Sequence, residues 1–345
     1  MIINGGTIRG GTITDAIETS YLYTFTTFTF TTANTLGRFG PNLTTLTNWY
    51  NSNSSYSGNT WVSNTNYFNQ TRLGYQLWTV PATGTYTIEV AGARAGARAG
   101  GNASIYPGFG EGAVIRSSNI SLTQGEKLQI VVGQEGLSYS LNGSGGGGGG
   151  TFVVKYNANL AATANADVIM VAGGGGSIQK IDANAAVYNT STYWTANSNG
   201  VLGSITGNSS SQQIGGTRSL GGTNGAGGAA GDYPGGGGGF SGNGAAGLFA
   251  LSFGIAYKFG ANGGAANYTN TSTLGGASVG GFGGGSGTHG YTGGGGAGGG
   301  YSGGGGGKQT NNWDMGGGGG SYCVNPGYTQ VGYNRGPGYV KITKN

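Results

Sequence analysis

Gly145-Gly146-Gly147-Gly148-Gly149-Gly150-Thr151-Phe152-Val153-Val154 is a six-residue glycine run that leads directly into a short apolar run. The pattern returns along the chain. Uninterrupted glycine blocks also occupy 173–176, 235–239, 293–296, 303–307 and 316–320. Hydroxyl and aromatic residues follow or join them, as in Phe240-Ser241, Tyr301-Ser302 and Ser321-Tyr322. Of the 83 glycines in 345 residues, 64 fall within 143–345. Collagen is excluded, because the blocks have no Gly-X-Y period and the chain has only 6 prolines. A flexible linker is the bland alternative. Linkers do not carry recurring aromatics, or apolar spacers such as Leu248-Phe249-Ala250-Leu251-Ser252-Phe253. The blocks therefore read as left-handed polyglycine-II helices, with three residues per turn and a rise of ~3.1 Å per residue. Such a helix makes no internal hydrogen bonds, so its N–H and C=O groups need partners on neighbours. Only glycine lets several backbones approach from all sides, and lateral bonding must offset the entropy lost in ordering it. A β-branched residue within a block, at Gly318 for example, is expected to meet a neighbouring backbone.

The first half reads as β structure. Tyr21 to Thr31 alternates aromatic residues with threonine, with a phase break at Thr26-Thr27 of the kind a β-bulge produces. Leu73 to Val80, a turn at Pro81-Ala82-Thr83-Gly84, and Thr85 to Ala91 read as a hairpin with Tyr86, Ile88 and Val90 on one face. Val114-Ile115 with Ile120-Ser121-Leu122, then Lys127 to Val132, read as a second strand pair around Gln124-Gly125-Glu126. Thr151 to Tyr156, Asp167 to Ala172 and Gly338 to Thr343 are further strands. No segment shows helical periodicity with caps. The expected fold is mainly β: an antiparallel β-sandwich with a packed polyglycine-II helix bundle and little or no α-helix. The expected organisation is a docking segment at 1–20, a β-rich domain at 21–142 and a glycine-rich domain at 143–345, whose last strand returns to the sandwich.

Composition narrows the chemistry. Charged residues make up 7% of the chain, and the net charge of +5 comes from scattered positions. One cysteine, Cys323, excludes an intramolecular disulfide and a zinc cluster, and one histidine, His289, excludes multi-histidine metal sites. Lys308 after Gly303–Gly307 imitates a phosphate-binding loop, but Ser302 and Gln309 break that pattern. His289 has no carboxylate nearby in sequence. No catalytic residue, cofactor or metal is therefore expected, and the chain is not expected to be an enzyme. Arg94 and Arg98 form the only close basic pair, too sparse for a nucleic-acid footprint. The start, Met1-Ile2-Ile3-Asn4-Gly5-Gly6, lacks a basic and apolar leader, and no window approaches a membrane span. The expectation is synthesis in a cytoplasm and no insertion across a bilayer.

Several stretches carry a family resemblance. Trp78 to Glu89, Gly92-Ala93, Gly125 to Gln134, and the six-glycine block with Thr151-Phe152-Val153-Val154 resemble a glycine-rich domain. That domain occurs in the ectodomain of the receptor anaplastic lymphoma kinase. The late glycine blocks resemble the distal adhesins of T-even-like phage tail fibres. Gly37-Arg38-Phe39-Gly40-Pro41, with Tyr67-Phe68 and Gly74 to Trp78, is similar to phage tail proteins. The resemblance spans roughly residues 20–345 and implies glycine-helix bundles beside a β-sandwich. A receptor ectodomain would bring disulfides and a membrane span, so the phage context is favoured.

The resemblance implies a virion structural protein, a tail or fibre component made in the host cytoplasm, whose glycine-rich part displays loops for host-surface attachment. The alternatives are a head decoration or tail-assembly protein without receptor binding, and a fibre-borne glycan depolymerase, for which 10 acidic residues are a thin supply. The receptor-binding candidates lie in the spacers: Tyr193 and Trp194; Asn311, Asn312 and Trp313; Tyr328 and Tyr333. Aromatics beside asparagines offer flat contact area with adaptable hydrogen bonding. The same aromatics could instead cap the bundle. The expected partners are a host cell-surface glycan or protein, other virion proteins through the N-terminal segment, and further copies of the chain; nucleic acid is not expected.

Overall fold

The computed structural model describes residues 21–96, 109–137, 144–177, 219–248, 251–266, 278–288, 294–308 and 315–345. The alternation of Tyr86, Ile88 and Val90 builds a strand with these three side chains wholly buried. In chain order the strands are β1 (Thr27–Phe30), β2 (Phe68–Arg72), β3 (Tyr75–Thr79), β4 (Gly84–Ala91), β5 (Gly112–Leu122) and β6 (Lys127–Val131). They continue with β7 (Thr151–Lys155), β8 (Val168–Ala172), β9 (Tyr322–Cys323), β10 (Thr329–Asn334) and β11 (Tyr339–Lys344). They form two antiparallel sheets, β1-β11-β4-β5-β10 and β2-β3-β6-β7-β8-β9. The fold is mainly β, as the sequence suggests, and both sheets draw strands from the two halves of the chain.

Two expected hairpins are crossings between sheets. β3 pairs with β2 and β6, whereas β4 pairs with β5 and β11. β5 and β6 likewise lie in different sheets. The two connections run side by side: the Val80 N–H donates to the Glu126 carbonyl at 2.8 Å, and Gly125 N–H donates to the Val80 carbonyl at 2.9 Å. Each arch satisfies the other's backbone, so neither needs to close a tight turn within one sheet. Of the stretch Tyr21 to Thr31, only the last part pairs as β1. Upstream of the phase break, Leu22 N–H donates to the Pro81 carbonyl instead, and Phe25 turns into the core.

The sandwich core joins Phe28, Phe30, Ile88, Ile115 and Ile342 of one sheet to Phe68, Trp78, Ile130, Val153 and Met170 of the other. Strands β2, β9 and β10 and one helix have no counterpart in the sequence reading. Helix α1 (Leu43–Ser52) starts at Asn42, whose side-chain oxygen accepts the Thr45 N–H at 2.8 Å, and it buries Leu46 and Tyr50. Tyr50 donates its hydroxyl to Gln76 Oε1 at 2.9 Å, and Gln76 Nε2 donates to the Thr31 carbonyl at 3.0 Å. The helix thus lies against β3 through a satisfied polar chain.

Beyond the sandwich, the glycine segments bond sideways with a period of three. Gly146 and Gly149 donate to Leu137 and Gln134; Gly147 and Gly150 donate to Ser286 and Gly283; Gly148 donates to Gly175. Three successive residues reach three different neighbours, and the fourth returns to the first. The same rule holds elsewhere: Gly174 and Ser177 donate to Gly299 and Gly296, and Gly316 and Gly319 donate to Ser177 and Gly174. A three-residue turn without internal bonds is the polyglycine-II geometry. The array also takes in 92–96, 109–111 and 133–137, where Ala93, Ala95 and Gln134 are wholly buried and Arg94 is half-buried.

A second core welds array to sandwich. Tyr75, Val131, Phe152, Val154 and Val171 cover the outer face of the six-stranded sheet. The aromatics that follow glycine runs, Phe240, Phe282 and Tyr301, pack on them together with Tyr257. Phe240 stacks on Tyr257 at 5.3 Å, and Tyr301 stacks on Tyr322 at 4.5 Å. Tyr75 donates its hydroxyl to the Tyr257 carbonyl, and the Tyr257 hydroxyl donates to Gln129 Oε1 at 2.6 Å. The β8 stretch Val-Ile-Met-Val-Ala is buried throughout because this sheet is covered on both faces.

An added Cβ at Gly149 would press on the Phe282 carbonyl, well inside 3.0 Å, whereas at Gly336 its nearest neighbour lies 3.8 Å away. Gly149→Val is expected to cost about 4 kcal/mol or more, because rigid backbone cannot yield, while Gly336→Ala stays within about 0.5 kcal/mol. Urea unfolding of both variants checks this. Burial also raises the phenol pKa of Tyr50, Tyr75 and Tyr257, and lifts Tyr86 to about 12. These phenols stay protonated in the fold and ionise near the ordinary value of 10.0 once unfolded. Their contribution is therefore complete below that value and is lost as pH rises above it, by up to about 1.4 kcal/mol per pH unit per retained proton. Denaturation at a series of alkaline pH values should show this limb, and Tyr50→Phe should make it shallower.

Candidate binding end of the glycine array

Strand continuity orients the array. Gly92, Gly133 and Gly173 follow β4, β6 and β8, so these segments start at the sheet side and run outward. Gly150 and Gly320 lead into β7 and β9, so their blocks run inward. The lateral bonds carry these directions across the array. Gly296 and Gly299 donate to Gly145 and Gly148, a parallel pair; Gly304 and Gly307 donate to Gly298 and Gly295, an antiparallel one.

The two ends differ in kind. At the sheet side the chain reverses in tight turns at 223–225, 240–242, 256–260, 282–284 and 300–302, and the aromatics of these turns enter the second core. The opposite, far end holds seven pairs of residues that are separated along the chain: Gly96 and Phe109, Leu137 and Ser144, Ser177 and Ser219, Leu248 and Leu251, Ala266 and Ser278, Thr288 and Gly294, Lys308 and Met315. All seven intervening stretches of sequence thus join the array at one end.

Hydroxyl residues finish that end where a glycine block gives out. Ser177 Oγ donates to the Gly145 carbonyl and accepts the Gly296 N–H at 2.8 Å. Thr288 Oγ1 donates to the Ser144 carbonyl at 3.0 Å, and Ser286 Oγ accepts the Ala297 N–H at 2.7 Å. A small side chain with one donor and two acceptor sites replaces the bonds that a further glycine strand would supply.

The described part of the far rim carries exposed apolar side chains beside one acidic and one basic residue, Asp232 and Lys308. Leu220, Leu248 and Leu251 are 67%, 69% and 61% exposed. The turn Asp232-Tyr233-Pro234 lies among them: Gly231 N–H donates to the Pro234 carbonyl, Leu248 N–H to the Asp232 carbonyl and Ala229 N–H to the Leu220 carbonyl. Leu251 sits at φ +82°, a conformation that a branched side chain adopts only when its surroundings impose it. Leu248 and Leu251 belong to the apolar spacer visible in the sequence. Tyr233 carried no signal beyond its place just before a glycine block.

Of the sequence candidates, Tyr193, Trp194, Asn311, Asn312 and Trp313 lie outside the described residues. Ser177 and Ser219, which bracket the first two, and Lys308 and Met315, which bracket the other three, stand at the far end. Tyr328 and Tyr333 do not join them. Tyr328 is half-buried against the sandwich core, and Tyr333 is 44% exposed on the edge strand β10. Gly92 and Lys308, singled out in the sequence, belong to the array and its rim.

The opposite pole of the sandwich holds the described start of the chain. Leu22 N–H donates to the Pro81 carbonyl, Lys344 Nζ lies 5.3 Å over the Tyr21 ring, and Asn345 N–H donates to the Thr85 carbonyl. Residues 1–20 therefore join the molecule at the end remote from the rim.

No family model matches this chain, and no curated protein matches it in sequence.

Replacing Leu220, Leu248 or Leu251 with serine is expected to move stability by no more than about 0.5 kcal/mol, because each side chain is already in water. Phe240→Ala, in the buried aromatic layer, is expected to cost about 3–5 kcal/mol. Thermal melting of the four variants separates rim from weld.

Proposed function

We propose that this chain is a virion structural protein of a phage tail or fibre, a non-enzymatic attachment component that presents loops to the host surface. The observation that carries this reading is the polarity of the molecule. Seven stretches of sequence leave and re-enter the array at one end, and residues 1–20 join at the other. One pole then faces the virion, and the N-terminal segment is the natural element to dock there on another subunit. The other pole faces the host.

The physics of the array suits this division of labour. Among the described residues its cohesion comes from backbone bonds and close glycine contacts. Such a mount tolerates change in what it displays, the general arrangement of binding loops on a rigid scaffold. The low net charge of the described rim, with three exposed leucines and Tyr233, favours a partner reached through apolar contact and neutral hydrogen bonds. A host surface protein or a neutral glycan fits; the aromatic and asparagine residues Tyr193, Trp194, Asn311, Asn312 and Trp313 would add to that contact.

Purified protein or virions carrying Leu248→Ser with Leu251→Ser, or Trp313→Ala, should adsorb to host cells at least about tenfold more weakly with unchanged melting. Immunogold labelling should place the protein at the tail or fibre. Adsorption equal to the wild type, or label on the head alone, would remove the receptor-binding role.

A further inference from the structure

A second exposed surface lies on the flank, where sandwich and array meet, far from the rim. Three segments are sewn together there. Gly263 N–H donates to the Arg38 carbonyl at 2.9 Å, and Arg38 Nε donates to the Gly263 carbonyl at 3.0 Å. Gly74 N–H donates to the Pro41 carbonyl at 2.8 Å, and the Arg72 guanidinium lies 3.5 Å from where a Cβ on Gly260 would stand. Each segment turns large apolar side chains outward. Leu36 is 61% exposed, Phe39 and Leu73 are 54% each, and Phe259 is 51%. Isolated exposed leucines are ordinary, but two leucines and two phenylalanines on three adjoining turns are not.

Positive charge predominates on this flank. Arg38, Arg72 and Lys258 sit among these side chains, and among the described residues none of the three is in an ion pair. The four described ion pairs all lie elsewhere, at Arg94–Glu135, Arg116–Glu89, Lys155–Glu126 and Arg335–Glu111. The carboxylate that acts nearby, Asp167, is half-buried: it accepts the Ala164 N–H at 2.7 Å and acts on the buried Tyr257 phenol.

We propose that this flank docks on an anionic lipid surface, with Leu36, Phe39, Leu73 and Phe259 entering the headgroup boundary and Arg38, Arg72 and Lys258 meeting lipid phosphates. Arg38, Arg72 and Lys258 lie over the rings of Phe39, Tyr75 and Phe240 and have no described carboxylate partner, and exposed leucine and phenylalanine interleaved with such cations is the composition of an interfacial contact. The contact lies on the membrane and does not cross it; no helix among the described residues is long and apolar enough to do so. It is independent of the far rim: rim contact decides which host surface is recognised, and flank contact holds the molecule against the lipid once it has arrived.

The test is sedimentation of the full chain with vesicles of phosphatidylcholine alone and of equal parts phosphatidylcholine and phosphatidylglycerol. Binding is expected to the second and not the first, and to weaken as salt rises. Each cation near an anionic surface is worth roughly fivefold in affinity, so Arg72→Gln with Lys258→Gln should bind about thirtyfold more weakly. Phe259→Ser should also weaken binding, in a way that added salt does not mimic. Melting of each variant verifies that it is folded. Absence of binding to the anionic vesicles, equal binding to both, or equal binding of all folded variants would overturn the proposal. Host-cell adsorption of the same variants reads the rim separately, so the two ideas fail independently.

Discussion

Everything in this molecule depends on where the glycine backbone finds its hydrogen bonds. A polyglycine-II helix supplies none of its own, and an unmade buried bond costs about 1–3 kcal/mol. Ordering glycine costs a further ~0.5–1 kcal/mol per residue relative to alanine. A net gain of about 0.5–1.5 kcal/mol per lateral bond can offset that cost only if nearly every group is paired. The three-residue rotation of donors achieves this, since each block faces several neighbours at once. Gly146 to Gly150, for instance, donate in turn to Leu137, Ser286, Gly175, Gln134 and Gly283. No block could fold alone, so the array is cooperative by construction.

Among the described residues such an array has no hydrophobic core of its own, and its coupling to the sandwich supplies one. The six-stranded sheet contributes a second apolar face through Tyr75, Val131, Phe152, Val154 and Val171. The aromatic residue placed after a glycine run reverses the chain and fills this layer in one step. Phe240, Phe282 and Tyr301 do so at three separate turns. Gly40 and Gly74 let two backbones and the Phe282 ring meet at the edge of that layer, where any Cβ would collide.

The sequence made the materials legible but not all of the connections. Glycine blocks, the missing Gly-X-Y period and the recurring aromatics identify a laterally bonded bundle, and alternating Tyr86, Ile88 and Val90 identify a half-buried strand. Pairing was misread at Pro81 to Gly84 and at Gln124 to Glu126. Both have the turn residues of a hairpin, and only tertiary bonding between the two arches shows that they cross from sheet to sheet. Helix α1 escaped notice because threonine-rich Leu43–Ser52 has a weak propensity; its cap and the buried Tyr50–Gln76 bond carry it. At the far end, the spacer Leu248 to Phe253 was visible as apolar, while the exposure of Leu248 and Leu251 was not. The gathering of all far-end stretches is a property of segment direction, which no local pattern encodes.

That gathering follows from the two ends of the array having different physical demands. At the sheet side, each reversal must fit beneath a closed aromatic layer, so the turns are short and their residues are prescribed by packing. At the far end the described residues supply no opposing surface. There the only demand is that the last carbonyls and N–H groups be satisfied, and Ser177, Ser286 and Thr288 meet it with hydroxyls. A stretch of any length and composition can then leave and return without disturbing the bonds below. The same asymmetry that stabilises the array thus frees one of its ends, and it is the free end that can specialise for contact.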